Sequence, residues 1–259
     1  MKYTRREVLQ TGCAVVAASA VGRAAEPVLG MIYPQKVPVT AETLAMYPAG
    51  VKFLIEGVGL QTMTPAGYDS VIDKIVPAAV KLKGDGAQAI MLMGTSLSFY
   101  RGAAFNQELA DSIKKATGLP TSTMSSAVVD GLRAVGGRRL AVPTAYNDEV
   151  NARLQTFLQQ SGFEVLAIKG MGIERIGVAG TVPKEDVERF AVGVARMAPT
   201  ADAMLLSCGG FRTLESIAPI ESQSRVPVVS SSPHALWTGV RLLGLSGKAA
   251  GFGALLSRD

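Results

Sequence analysis

Few side chains in this sequence can hold a proton for transfer or attack a carbon, and where they fall is informative. Cys208 lies in Leu206-Ser207-Cys208-Gly209-Gly210, at the end of one apolar run and before a stretch with helical pattern. A helix N-terminus there would stabilise a thiolate or a bound carboxylate, and the glycines would let backbone donors close on a ligand. The plain alternative is a buried cysteine acting as a small hydrophobe. Gly94-Thr95-Ser96-Leu97-Ser98 offers hydroxyls and amides at the end of a second apolar run, suited to a small anion or simply to capping a helix. Tyr146 follows a third run, where its hydroxyl could serve an anion or its ring the surface. Pro34, Leu60 and Met63 stand at loop or strand-end positions able to wall a pocket, although packing is the default for such residues. His234, the single histidine, reads as a first-turn helix residue, with no second group placed to form a Cys-His or Ser-His dyad.

Composition removes several classes of chemistry. Two cysteines and one histidine cannot build a zinc finger or a Cys/His cage. Gly57-Val58-Gly59 and Gly170-Met171-Gly172 both lack the third glycine of a dinucleotide fingerprint, and no Walker sequence occurs. The net charge of +5 is concentrated at the start: residues 1–25 hold Lys2, Arg5, Arg6 and Arg23 against Glu7, leaving 22 basic and 20 acidic groups in the rest. No basic stripe remains, so nucleic acid is not an expected partner. Arg5-Arg6, the mildly apolar run 11–22 and the small residues before Pro27 read as a twin-arginine-like signal peptide over residues 1–25. That run is too short to cross about 30 Å of hydrocarbon. The expectation is a periplasmic protein with no membrane partner after cleavage, and with Cys208 as its one remaining cysteine.

These residues need elements to position them. Strands are expected at 28–33, 52–55, 89–93, 121–124, 139–143, 164–168, 203–207 and 228–230, with amphipathic helices at 66–83, 105–117, 128–135, 148–161, 184–197 and 234–243. Apolar strands alternating with helices indicate parallel α/β layers. The chain also repeats itself: Ala89-Ile90-Met91-Leu92-Met93-Gly94 echoes Ala203-Met204-Leu205-Leu206-Ser207-Cys208, and Leu119-Pro120 through Ser125 echoes Val226-Pro227 through Ser232. The fold expected is α/β, with two similar Rossmann-like lobes related by a pseudo-twofold axis. Lobe 1 is placed at 26–124 plus 228–259 and lobe 2 at 125–227. The site lies between the lobes, where strand ends 94–98 and 208–212 face each other.

The segments Gly30-Met31-Ile32-Tyr33-Pro34, Met93 through Asn106, Thr144-Ala145-Tyr146, Leu205 through Gly210 and Val228 through Pro233 resemble the arylmalonate decarboxylase family. That family sits within the aspartate/glutamate/hydantoin racemase and maleate isomerase superfamily. The likeness runs from about Gly30 to the C-terminus. It implies that Cys208 is a general acid that protonates a carbanion, and that Thr95, Ser96, Tyr146 and the backbone of Cys208 and Gly209 hold the retained carboxylate. It also implies an apolar pocket for the departing carboxylate at Pro34, Leu60, Met63 and Ile176, no metal and no organic cofactor. The superfamily's racemases carry a cysteine at each mirrored strand end, and here the first of those positions is Gly94. The likeness thins between Gly170 and Thr181, where Ile173, Ile176 and Ala179 would shape the pocket. Arg212 adds a cation that would favour a second carboxylate.

The expected activity is therefore decarboxylation of a 2-substituted malonic acid, aryl or alkenyl, to a chiral monoacid, the partner being a small dicarboxylate. Two alternatives stand beside it. One is a maleate isomerase or amino-acid racemase relative, which Gly94 opposes. The other is a periplasmic carboxylate-binding protein, which would have no use for the thiol.

Overall fold

The eight apolar runs form eight strands, each sealed by helices. The computed structural model describes residues 26–257; the expected signal peptide, with Cys13 and the paired arginines, lies outside the described residues. Strands β1 (Val28–Tyr33), β2 (Lys52–Gly57), β3 (Ala89–Leu92) and β4 (Thr121–Thr123) make one sheet in the order β2-β1-β3-β4. Strands β5 (Arg139–Thr144), β6 (Glu164–Gly170), β7 (Ala203–Leu206) and β8 (Val228–Ser230) repeat it as β6-β5-β7-β8. Every pairing is parallel. β3 and β7 are buried at every residue, which is why their sequences are unbroken apolar runs rather than alternations. The repeat extends to single hydrogen bonds: Met93 N donates to Ile32 O at 2.7 Å, and Ser207 N to Pro143 O at 2.9 Å. Gly94 and Cys208 thus each stand two residues past equivalent strands.

The helices are α1 (Ala41–Met46), α2 (Pro65–Asp69), α3 (Ile75–Gly84), α4 (Thr95–Phe99), α5 (Ala103–Thr117), α6 (Met124–Ala134), α7 (Asp148–Gln160), α8 (Lys184–Met197), α9 (Ile217–Ser224) and α10 (Ser231–Leu242). The single helix expected over 66–83 is instead α2, a 3-10 turn at Ile72–Lys74 and α3. Pro77 explains the break. It has no N–H to bond the carbonyl four residues back, so it is tolerated only in a first turn, and α3 begins two residues before it. Helices α1, α4 and α9 escape periodicity because each is short.

The connection between the halves corrects one expected boundary. Val228 pairs with Met204 and Ser230 with Leu206, so β8 belongs to the second sheet and the return to the first lobe falls after Ser230, not before Val228. Parallel pairing with β7 buries all three β8 residues, which outweighs continuity with the helix that follows. That helix, α10, packs on β3 and β4, while α6 packs on β7 and β8, and the two helices pack on each other. The chain thus changes lobe twice, each time between a strand and its helix. No helix among the described residues is long and apolar enough to cross a membrane.

Candidate active site

Strand ends of both sheets converge on a cavity of about 510 Å3. Gly94, Thr95 and Ser96 reach it from the turn after β3, Tyr146 from that after β5, and Cys208 and Gly209 from that after β7. Pro34 follows β1, Leu60 and Met63 follow β2, and Ile176 follows β6; all four line the same space. Arg212 also borders it. Of the other residues named in the thin stretch, Ala179 lines the cavity, whereas Ile173 does not and instead donates its N–H to Ala145 O at 2.8 Å.

Cys208 is 6% exposed and is the free cysteine among the described residues. Its surroundings correct the expectation of a helix N-terminus. Helix α9 begins only at Ile217, and residues 209–216 are turns and irregular chain, because Gly209 and Gly210 favour turn conformations over helix. Burial is the dominant influence and pushes the thiol up to about 11, against the N–H groups of Gly210 and Phe211 and the Tyr146 hydroxyl, which pull it down. The Gly210 N–H lies 3.3 Å from Sγ, and Met63 Sδ lies 4.0 Å away on the other side. The site holds a thiol rather than a thiolate at neutral pH. Iodoacetamide alkylation of the native protein is expected to keep accelerating to beyond pH 10, where an ordinary thiol levels off above about 8.5; a plateau near pH 8.5 would contradict a buried, proton-retaining group. The thiol's contribution to stability is intact below about pH 8.5 and is lost as pH climbs to about 11.

The donors opposite are fixed by both lobes. Thr95 Oγ1 lies 3.0 Å from Ser231 Oγ and 2.9 Å from Met124 Sδ, while Ser125 Oγ donates to the Thr95 carbonyl at 2.9 Å. Ser98 closes the set by donating to Ser125 Oγ at 2.7 Å. On the cysteine side, Ser232 Oγ donates to Gly209 O at 2.9 Å. The first turns of α6 and α10 therefore brace both strand-end turns. Their Ser-Ser pairs were visible within the repeat, but nothing in one dimension assigns them to the site.

Tyr146 is fully buried, edge-on to Phe99 with centroids 5.8 Å apart, and its hydroxyl is 3.3 Å from Ser207 Oγ. Burial, then the nearby Cys208, raises its ionisation well above the usual phenol value, so it remains a donor. Its position is set by the Asn147 cap of α7, which accepts from Val150 N at 3.0 Å, and by a close approach to β6. A Cβ at Gly170 would come within 1.9 Å of the Tyr146 carbonyl oxygen. Gly170→Ala is accordingly expected to cost about 1–3 kcal/mol of stability and to impair turnover through displacement of Tyr146; an unchanged Tm would refute that packing argument.

The apolar wall is built across the lobes. Met63 N donates to Glu174 O at 2.6 Å, Ile176 N to Gln61 O at 3.1 Å, and Thr62 and Arg175 form an antiparallel bridge. Leu60 N is held by Pro34 O at 2.8 Å. Loops after β2 and β6 thus carry Leu60, Met63 and Ile176 on one surface.

Tyr68, which the sequence did not single out, does not line the cavity but lies beside Ser96, which does. It is fully buried and stacks against Tyr100 with centroids 4.9 Å apart. Its hydroxyl lies near Ser96, yet closes no hydrogen bond among the described residues. In an amphipathic stretch, a tyrosine reads as core, and only the packed structure leaves its buried hydroxyl without a partner. His234 stays outside the cavity. Its Nδ1 sits 2.7 Å from the Ser230 carbonyl, and burial lowers its ionisation to about 4, in keeping with a neutral first-turn residue.

Two parallel α/β lobes, with the hydroxyl-bearing turn at Gly94–Ser96 and a buried thiol at mirrored strand ends around one cavity, define a two-lobed α/β class with its site between the sheets. The family model described as arylmalonate decarboxylase matches residues 29–256, and the chain belongs to that family. It is 45% identical over 239 residues to the arylmalonate decarboxylase of Bordetella bronchiseptica, covering 92% of this chain and 99% of that protein. A liganded arylmalonate decarboxylase variant with a glycine-to-cysteine and a cysteine-to-serine change superposes with a TM-score of 0.86 at 44% identity, over 88% of this chain and 98% of that one. The maleate isomerase of Pseudomonas putida S16 shares the fold, with a TM-score of 0.82 at 21% identity over 89% and 98% of the two chains.

Proposed function

We propose that this protein decarboxylates 2-substituted malonic acids bearing an aryl or alkenyl group and delivers one enantiomer of the monocarboxylic acid. The observation that carries the reading is the buried Cys208, the one cysteine among the described residues, held as a thiol in the cavity that Gly94 also lines. The retained carboxylate is held by Thr95, Ser96, Tyr146 and the N–H groups of Cys208 and Gly209. The other carboxylate faces Pro34, Leu60, Met63 and Ile176, where poor solvation favours loss of its charge as CO2. The C–C bond breaks, its electron pair enters the retained carboxylate as an enediolate, and the fixed donors stabilise the developing charge at about 3 kcal/mol each. Cys208 then gives its proton to C2, and the thiolate recovers one from water. A racemase would need a proton carrier on the opposite face, where Gly94 has none.

Incubation with phenylmalonate and methylphenylmalonate in D2O tests the reading. CO2 release with one deuterium at C2 and a single enantiomer of 2-phenylpropionate is expected; no turnover of either substrate would overturn it. Export is proposed from the signal-like residues 1–25 alone, and recovery of unprocessed protein solely from the cytoplasm of the native host would contradict it.

A further inference from the structure

The cavity changes character toward its mouth. The buried lining sets the hydroxyls of Thr95, Ser96 and Tyr146 among apolar walls, whereas the less buried Gln35 and Glu42 and the exposed Arg212 bring polarity and charge to the edge. Arg212 is exposed, and among the described residues it closes no hydrogen bond and has no carboxylate within 4.0 Å. The acid that acts on it is Glu42, and that carboxylate is already engaged: it accepts the Leu214 N–H at 2.7 Å and also the Thr213 N–H. The backbone beneath Arg212 is firm. Phe211 is buried with its N–H on Cys208 O at 3.1 Å, and Thr213 Oγ1 lies 2.6 Å from Ser230 Oγ. The guanidinium therefore projects from the same braced turn that carries the reacting thiol, four residues further on. At about 510 Å3 the cavity is of the size that holds drug-sized ligands, about 300–1,000 Å3, more than a malonate with one plain ring requires.

We infer that Arg212 is a specificity-determining residue, and that the preferred malonic acids carry a further anionic group, a carboxylate above all, at the far end of the 2-substituent. A planar guanidinium binds a carboxylate through two parallel hydrogen bonds. With the malonate end fixed by the inner donors, the distal carboxylate meets Arg212 at high effective concentration. The inference rests on the decarboxylase reading for its substrate class but not for its geometry.

The test compares kcat/KM for phenylmalonate with that for its 3-carboxyphenyl and 4-carboxyphenyl analogues. Wild type is expected to favour one carboxylated isomer by about tenfold. Arg212→Gln should abolish that preference and Arg212→Lys should keep part of it. The preference should also shrink as salt is raised. Turnover of phenylmalonate without preference for either isomer would overturn the inference and leave decarboxylation standing. An equal loss on all substrates in Arg212→Gln would overturn it too, since Arg212 would then only balance Glu42. If no malonate is turned over, the decarboxylase reading fails, and calorimetric binding of phenylacetate against 3- and 4-carboxyphenylacetate decides the inference instead. The same tenfold preference and its loss in Arg212→Gln support it; equal affinities refute it.

Discussion

Cys208→Ala is expected to lower kcat by about 10²- to 10⁴-fold, the usual contribution of a positioned acid, while KM changes little. The donors that hold the retained carboxylate are side chains of other residues or the backbone N–H of position 208 itself, and alanine preserves that backbone. The enediolate can still form, but its proton must come from water, and water has no preferred face. Loss of enantiomeric purity in the residual product is therefore as diagnostic as the fall in rate. A folding defect would appear differently. The thiol touches Met63 Sδ at 4.0 Å and fills little space, so the variant should melt close to wild type. Undiminished turnover in folded Cys208→Ala, measured as CO2 release from phenylmalonate, would sink the proposed acid.

The second large effect is expected from Gly94→Cys. A Cβ built at Gly94 meets Leu97 Cβ at 3.1 Å and Leu97 Cδ2 and Pro34 Cγ at 3.5 Å, a fit that asks for only a few tenths of an ångström of adjustment. The side chain should thus be accepted and project a second thiol from the strand end that mirrors Cys208. With donors on both faces of C2, the product should lose enantiomeric purity, and a single enantiomer of 2-phenylpropionate should racemise on long incubation. The new group also crowds Pro34, beside the pocket of the departing carboxylate, and misplacement of about 1 Å can cost as much as 10²-fold. Decarboxylation should therefore slow by about ten- to a hundredfold. Chiral chromatography over a time course, with deuterium at C2 as the tracer, reads both effects. Unchanged purity would count against the mirrored-donor argument.

The two experiments probe different depths of the sequence. The eight strands were legible because β3 and β7, buried on both faces, must be continuous apolar runs, and the remaining strands keep the same punctuation. The pairing of Gly94 with Cys208 was legible because the repeat is local: each residue lies two positions beyond an equivalent strand. The broken helix at 70–75 was misread because periodicity sees apolar spacing but not the missing N–H of Pro77. Tyr68, Ser231 and Ser232 were passed over because their contacts depend on residues distant along the chain; Thr95 and Ser231 are 136 residues apart, and Ser232 reaches Gly209 across 23.

What the sequence by itself determined is the scaffold, the repeat and the identity of the few groups able to act, since these follow from burial patterns and residue types along a short stretch of chain. The tertiary structure alone supplied the physical reason that Cys208 keeps the proton which the family resemblance implied. Its local sequence suggested a helix terminus that would favour the thiolate, but α9 starts too late, and burial beneath both lobes raises the thiol instead. The same holds at the cavity mouth, where Arg212 lacks a close partner because Glu42, 170 positions earlier, is bound by the backbone of Thr213 and Leu214. Solvation and long-range pairing are properties of assembled surfaces, and the spacing of residues along a chain does not encode them in readable form.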